Sequence, residues 1–252
     1  MTTINEIAPD VYRISLYVPD YNMQFNHFLI KDEEPMLYHA GMRMMFPMLK
    51  EAVSSIMKIK DLRWVGFSHF EVDECGSLND WLAVAPQAVA VCSEIGAMVN
   101  MGDFAIRPAR GLGKGDLLET GKYSYRFIPT PHLPHGWDAG VLFEEKNRTL
   151  FCSDLFHQDG NGIALTEHDI LGEVREALRA GQSSPLPDYM PYTHKTKGML
   201  QQLADLKPAT LAIMHGSSYR GNCSKALQEL DGIMKDELGP GQQVAEQQPA
   251  IP

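Results

Sequence analysis

The sequence is poor in cysteine and carries a deficit of positive charge. Its 252 residues contain four cysteines, and these form no Cys-x-x-Cys pair (Cys75, Cys92, Cys152 and Cys223). Such wide spacing is typical of free thiols in a reducing compartment and excludes a dense disulfide framework. The 22 Lys and Arg residues are outnumbered by 32 Asp and Glu residues, which gives a formal net charge of −10. Since phosphate backbones are bound through basic surfaces, we expect no nucleic-acid partner.

Long hydrophobic runs are also missing. No apolar stretch approaches the roughly 20 residues that a membrane-spanning helix needs. Residues 1–6 lack the charged and apolar regions of a signal peptide. We therefore expect a cytoplasmic protein with no membrane partner. What the chain does have is 44% hydrophobic residues, enough over this length for a full core and one large domain.

The hydrophobic pattern predicts strands and helices interleaved along the chain. Strands are predicted at 11–18, 27–31, 36–39, 63–67, 88–92, 122–128, 139–144, 149–152 and 210–214. Helices are predicted at 46–59, 78–84, 169–180, 195–205 and 224–237, and one more runs to residue 101 with Ser93 as its cap. With no obvious linker, the pattern favours one layered α/β domain over residues 1–238. The Gly-, Pro- and Gln-rich segment 239–252 is predicted to be a disordered tail.

One short segment is unusually rich in groups that bind metals. Residues 68–78 read Ser-His-Phe-Glu-Val-Asp-Glu-Cys-Gly-Ser-Leu and directly follow the apolar strand that ends at residue 67. Six consecutive positions thus hold one imidazole and three carboxylates, namely His69, Glu71, Asp73 and Glu74. Carboxylates rarely end a buried strand unless they are paired or bind a cation. The segment therefore predicts a metal-binding loop.

Three more apolar strands are followed by a residue of the same kind. His132 and His135 follow the run that ends near residue 131, Asp154 follows 149–153, and His215 follows 211–214. Strand ends on one edge of a sheet converge, so residues distant in sequence can share a site. Each residue alone is more often an ordinary loop residue, but the joint pattern favours a metal site. The remaining candidates His157, His168 and His194 are interpreted as surface or loop residues.

The order of these motifs resembles the metallo-β-lactamase superfamily. It is most similar to the metal-binding domain of flavodiiron proteins and of the flavin-free oxygen-binding diiron proteins. The first motif of that family matches here at His69, Glu71, Asp73, Gly76, Ser77 and Leu78. Segments 131–138, 150–156 and 215–220 are similar to its later motifs, and their register favours His135 over His132 as the ligand. The resemblance spans roughly residues 10–235 and implies a four-layer αββα sandwich.

The resemblance also implies a ligand set. One metal would be held by His69, Glu71, His135 and Asp154. The second would be held by Asp73, Asp154 and His215, with Asp154 as the bridge. Glu74 stands where the family has histidine, and it could either coordinate the second metal or point away. His132 and Tyr219 are the candidate catalytic residues, and Trp137 is a further pocket candidate.

Donor chemistry favours two iron ions in such a set. Zinc hydrolases prefer nitrogen-rich sites with an open position, whereas three imidazoles with four carboxylates suit iron or manganese better. Manganese and zinc remain the alternatives. No Gly- or Ser/Thr-rich phosphate loop is evident, and the chain ends about where a flavodoxin domain would begin, so we expect no built-in FMN.

The implied function is that of a non-haem diiron protein that binds, reduces or activates dioxygen or nitric oxide. It would act as an oxygen sensor or as an oxidoreductase, with an external electron donor or an organic substrate. The resemblance further implies a head-to-tail homodimer. A dinuclear metallohydrolase is the alternative, although Glu71 argues against it. A third hypothesis is a family member that has lost one metal through the change at Glu74 and serves as a binding protein.

Overall fold

Two seven-stranded sheets form the centre of the structure, a computed structural model that describes residues 2–239. In chain order the strands are β1 (Thr2–Ala8), β2 (Val11–Val18), β3 (Met23–Ile30), β4 (Met36–Tyr38), β5 (Trp64–Gly66), β6 (Val89–Ser93), β7 (Arg110–Leu112), β8 (Leu117–Glu119), β9 (Ser124–Pro129), β10 (Gly140–Glu144), β11 (Thr149–Phe151), β12 (Leu165–Thr166), β13 (Thr210–Ala212) and β14 (Ser218–Arg220). The first sheet has the order β1-β2-β3-β4-β5-β6-β7, and the second has the order β12-β14-β13-β11-β10-β9-β8.

The helices connect and cover these sheets. They are α1 (Phe46–Ile56), α2 (Val72–Cys75), α3 (Leu78–Val84), α4 (Glu94–Gly96), α5 (Gly102–Phe104), α6 (Leu171–Gln182), α7 (Thr196–Asp205) and α8 (Cys223–Leu238). Short 3-10 turns lie at Pro19–Tyr21, Arg43–Met45 and Ile59–Asp61, and a π-helical turn lies at Ala97–Met101. Within residues 2–239, no helix combines the length and hydrophobicity that a membrane crossing requires.

Three apolar layers hold the elements together. Between the sheets, Phe28 and Tyr38 of the first sheet contact Phe151 of the second, each at a ring-centroid distance of 5.5 Å. Helices α1 and α3 bury their apolar faces on the outer side of the first sheet. Helices α6, α7 and α8 do the same on the outer side of the second sheet. The layers therefore run helix, sheet, sheet, helix, and the predicted αββα sandwich is confirmed.

The alternation of side chains along a strand explains how one strand serves two layers. In β3, Phe28 and Ile30 face the layer between the sheets, whereas Leu29 faces the helical layer. Successive side chains of a strand point to opposite faces, so a strand covered on both sides can be apolar at consecutive positions, as Phe28, Leu29 and Ile30 are. This is why the central strands read as continuous hydrophobic runs in the sequence.

Most predicted elements are found, with shifted ends. The bounds of β2 and α3 agree with the prediction, α6 runs from Leu171 instead of residue 169, and β3 begins at Met23 instead of residue 27. Ser93 does cap a helix, since its Oγ accepts a hydrogen bond from the Gly96 backbone at 3.0 Å. That helix continues as the π turn and then as α5, so the regular helix predicted to residue 101 was an oversimplification. Apart from Gly239, the predicted tail lies outside the described residues.

Five strands were not predicted: β1, β7, β8, β12 and β14. Four of them have only two or three residues, too few to show a period of two. The longer β1 is largely exposed and polar, and it forms an edge of the first sheet. Its pairing with β2 comes from the neighbouring backbone more than from its own side chains.

The start of α8 offers a test of local stability. The Asn222 side chain caps this helix, because its Oδ1 accepts a hydrogen bond from the Lys225 backbone N–H at 3.1 Å. We expect Asn222→Ala to lower the free energy of unfolding by about 1 kcal/mol. Asn222→Asp, which keeps the acceptor, should stay close to wild type. Urea denaturation of the two variants checks this, and equal losses in both would contradict the capping role.

Candidate metal centre

Loops that leave strand ends of both sheets converge on one small region. His69 and Glu71 follow β5 of the first sheet, while His135 follows β9 and Asp154 follows β11 of the second. One donor atom from each of these four residues lies within 4.8 Å of the other three. The sequence prediction that distant strand-exit residues share a site therefore agrees with the geometry.

Within this group, two imidazole nitrogens and two carboxylate oxygens face a common point. His69 Nε2 lies 2.9 Å from Glu71 Oε2, and His135 Nε2 lies 2.9 Å from Asp154 Oδ2. His135 Nε2 is also 3.1 Å from Glu71 Oε2, and His69 Nε2 is 3.7 Å from Asp154 Oδ2. These four residues are the set that the resemblance implies for the first metal.

A second group lies on the other side of Asp154. His215, which follows β13, places its Nε2 3.1 Å from Asp154 Oδ1 and 3.4 Å from Asp73 Oδ2. The two oxygens of Asp154 thus face different groups, with Oδ2 toward His135 and Oδ1 toward His215. This is the position that a bridging carboxylate between two cations would occupy.

Hydrogen bonds fix the orientation of two of the histidines. His215 Nδ1 lies 3.0 Å from the backbone carbonyl oxygen of Gln24, and His69 Nδ1 lies 2.8 Å from Ser68 Oγ. A backbone carbonyl can only accept, so His215 carries its proton on Nδ1 when this bond is made. The Nε2 lone pair then points into the cluster, as metal-bound histidines require.

Glu74 is not among these donor atoms. It is fully buried, and its oxygens accept hydrogen bonds of 2.8 Å from the Ser68 N–H, the Ser68 hydroxyl and the Ser153 hydroxyl. Its Oε1 lies 3.7 Å from His69 Nδ1, the ring nitrogen that faces away from the cluster. The loop expected here contains the single turn α2, and successive helical residues point about 100° apart. Asp73 therefore faces the cluster while Glu74 faces the interior.

The two predicted catalytic residues are also placed elsewhere. His132 is exposed, has a positive φ of 64° and donates its backbone N–H to the Gly136 carbonyl. Tyr219 lines a separate surface groove beside Arg175 and Asn222. Both predictions inferred a role from proximity in sequence to a ligand. The reversal of the chain after Pro131 and the alternation along β14 turn these side chains away. Of the two histidines left open, the structure brings His135 and not His132 to the cluster.

In the first group, charged neighbours outweigh burial in setting the pKa values. Burial by itself would lower the pKa of His69, but the hydrogen bond to Glu71 and the charges of Glu74 and Asp154 raise it to about 9. Burial would also lower the pKa of His135, but Asp154 and Glu71 raise it to about 10. Burial would raise the pKa of Glu71, but His135 and His69 lower it to about 2. Without a cation, this group is a set of imidazolium–carboxylate pairs.

The residues present fit metal ions chemically. Asp73 Oδ1 is buried and has no hydrogen-bond partner. An unpartnered buried carboxylate oxygen is costly, and a bound cation would satisfy it. The cluster offers imidazole nitrogens and carboxylate oxygens only, because the four cysteines are buried outside it. Such donors suit iron, manganese or zinc.

Five of the donor residues line an open cleft of about 630 Å³, namely Glu71, Asp73, His135, Asp154 and His215. Its walls are mainly apolar and include Tyr21, Met23, Phe25, Met42 and Leu186. The same cleft is also lined by His157, Asp159, Ser184 and Tyr189. The sequence predicts His157 to be a surface or loop residue; it does lie in a loop, but its side chain is buried in the wall of the cleft. The available signal was that His157 lies in the same turn as Asp154, only three residues later.

Fold and site together define a metallo-β-lactamase-like domain of the flavodiiron type. The family model described as ODP family beta lactamase matches residues 23–216. The chain belongs to that family.

Curated relatives agree with this assignment. Putative diflavin flavoprotein A 1 of Thermosynechococcus vestitus is 30% identical over 135 residues, which cover 52% of this chain and 23% of that protein. Putative diflavin flavoprotein A 2 of Synechocystis sp. is 23% identical over 225 residues, which cover 85% of this chain and 36% of that protein. The chain thus spans about a quarter to a third of the length of these relatives. The uncharacterized protein YobT of Bacillus subtilis is 26% identical over 83% of this chain and 91% of its own length.

Solved structures share the fold. The flavodiiron protein from Giardia intestinalis superposes with a TM-score of 0.77 at 19% identity, covering 93% of this chain and 60% of that one. A fragment of putative diflavin flavoprotein A 5 from Nostoc sp. gives 0.77 at 18% identity, covering 94% and 96%. Rubredoxin oxygen:oxidoreductase from Desulfovibrio gigas gives 0.76 at 17% identity, covering 91% and 61%.

Proposed function

We propose that this protein is a non-haem diiron protein that binds or reduces a small diatomic molecule, dioxygen or nitric oxide. The observation that supports this most strongly is the position of Asp154 between two donor groups, one oxygen toward each. Dinuclear centres share a bridging ligand in this way. The proposal is also supported by membership of the ODP family and by the likeness to a rubredoxin oxygen:oxidoreductase.

The metal assignment follows the two groups. His69, Glu71, His135 and Asp154 would hold one iron, and Asp73, Asp154 and His215 would hold the other. When bound, a ferrous pair supplies the electrons for reducing the diatomic ligand. Ser68 and the Gln24 carbonyl hold His69 and His215 with their Nε2 atoms toward the cluster, and mainly apolar side chains line the cleft.

Re-reduction of the metal pair requires an electron source, and we propose that an external donor supplies the electrons. The head-to-tail homodimer, the absence of a bound FMN and the cytoplasmic location remain parts of this proposal.

The proposal is tested by loading the protein anaerobically with ferrous iron. We expect two irons per chain, near-ultraviolet absorption in the oxidised state that bleaches on reduction, and consumption of dioxygen or nitric oxide with a chemical reductant. His194→Ala, a change at a histidine outside the cleft, serves as the control and should behave as wild type. Preferential binding of zinc together with cleavage of simple esters would instead support the metallohydrolase alternative.

The cleft favours a second candidate, in which the same centre oxidises an organic molecule. Its volume of about 630 Å³ is far larger than a diatomic ligand needs and lies in the range typical of organic ligands. The apolar walls would suit an apolar compound. Oxygen consumption that is stimulated by such a compound, and that falls when wall residue Leu186 is changed to Asp, would support this candidate over simple reduction.

A further inference from the structure

The two donor groups are unequal. The first contains two imidazoles and two carboxylates, whereas the second contains His215, Asp73 and the shared Asp154. The position that supplies a further histidine to this motif in the resembling family is Glu74, and its side chain is held in the interior by three hydrogen bonds. The second group is therefore short of one nitrogen donor.

An imidazole from a different part of the chain lies beside this group. His157 occupies the turn after β11, where its backbone N–H donates to the Asp154 carbonyl at 3.1 Å. Its ring centroid is 4.9 Å from that of His215, with the two ring planes inclined by 39°. His157 is 8% exposed, and it lines the cleft together with Asp73 and His215.

Neither ring nitrogen of His157 makes a short hydrogen bond. Its Nε2 lies 3.2 Å from Asp159 Oδ1, and its Nδ1 lies 3.4 Å from the Tyr189 hydroxyl. Both distances are at or beyond the long end of the usual range for hydrogen bonds. A histidine that only filled space in a wall would be expected to make at least one short bond, since burying polar atoms is costly otherwise.

We propose that His157 supplies the missing imidazole of the second metal, in place of the histidine that Glu74 has replaced. Asp159 is then a positioning residue, which holds Nε2 of His157 and so orients the ring. Pairing of a metal-bound histidine with a carboxylate is a common arrangement. This inference rests on the proposed function, because it assumes that the second group binds a metal.

The test compares metal binding in matched variants. Anaerobic titration calorimetry with ferrous iron, followed by metal analysis after desalting, separates the two sites. For His157→Ala we expect one tightly bound iron per chain and a second-site affinity at least about 10-fold weaker than wild type. His168→Ala, a change at an exposed histidine, should keep both sites unchanged. His157→Asp, which retains a possible ligand, should recover part of the second-site affinity.

Glu74→Gln distinguishes the two possible origins of the fourth donor. If His157 is the ligand, this variant keeps the second site at wild-type affinity. Selective loss of the second site in Glu74→Gln, or wild-type affinity at both sites in His157→Ala, would overturn the inference. A wild-type protein that binds a single iron would overturn it too, while leaving the first site intact. A wild-type protein that binds no iron would overturn the proposed function as well. Circular dichroism confirms that each variant is folded.

Discussion

Asp154→Ala is expected to deprive the protein of both metal ions. Asp154 is the residue that faces both donor groups, with Oδ2 at 2.9 Å from His135 Nε2 and Oδ1 at 3.1 Å from His215 Nε2. Its loss would remove one carboxylate oxygen from each group at once. Changes in groups that merely support a ligand typically weaken metal binding about 10- to 100-fold, so loss of this ligand should exceed 100-fold at each site.

Metal analysis of protein loaded with ferrous iron and then desalted measures this effect. We expect close to two irons in wild type and close to none in Asp154→Ala. The exposed Asp103→Ala removes the same group from the surface and should keep both irons. Retention of one iron in Asp154→Ala would show that Asp154 serves one group only, and full retention would contradict its bridging position.

Glu74→Ala is expected to destabilise the fold strongly. The substitution leaves three donors, the Ser68 N–H and the hydroxyls of Ser68 and Ser153, without their acceptor in a fully buried place. Removing one partner of such a buried network typically lowers the free energy of unfolding by about 3 kcal/mol. Urea denaturation of the metal-free protein measures the loss.

Three other substitutions of glutamate sharpen this test. Glu74→Gln keeps an acceptor oxygen and nearly the same volume, so we expect a smaller loss, on the order of 1 kcal/mol. Glu51→Ala, on the exposed face of α1, should change stability by less than about 0.5 kcal/mol. If Glu74→Ala were as stable as Glu51→Ala, the buried network would have no structural role. Glu74→His, which restores the family's residue, is expected to destabilise the protein, because imidazole cannot accept all three hydrogen bonds.

The fold was largely predictable because its central strands are covered on both faces. Central strands such as Met36–Tyr38 are buried and apolar at every position, and this makes them visible in the sequence. Two-residue strands such as Leu165–Thr166 are defined by the backbone they pair with, and no pattern of their own reveals them. The same holds for β1, whose exposed residues contribute little to the core.

The residue types of the candidate site could be predicted from the sequence, but the orientations of their side chains could not. The motif identified His69, Glu71 and Asp73 because their residue types and spacing are unusual after an apolar strand. It could not reveal that a single helical turn sends Glu74 inward, since that depends on the buried hydroxyls of Ser68 and Ser153. The place of His157 beside His215 could not be predicted either, because it is a contact between residues far apart in the chain.

The origin of the donor atoms in both halves of the sandwich has a consequence for unfolding. His69, Glu71 and Asp73 lie in the segment after β5 of the first sheet, and His135, Asp154 and His215 lie in loops of the second. A bound cation would cross-link the two sheets, and neither sheet could unfold without releasing the metal. At a free metal concentration 100 times the dissociation constant, metal binding would add about 2.7 kcal/mol to the free energy of unfolding. The concentration of free metal would then affect the stability of the fold, independently of any reaction at the metal centre.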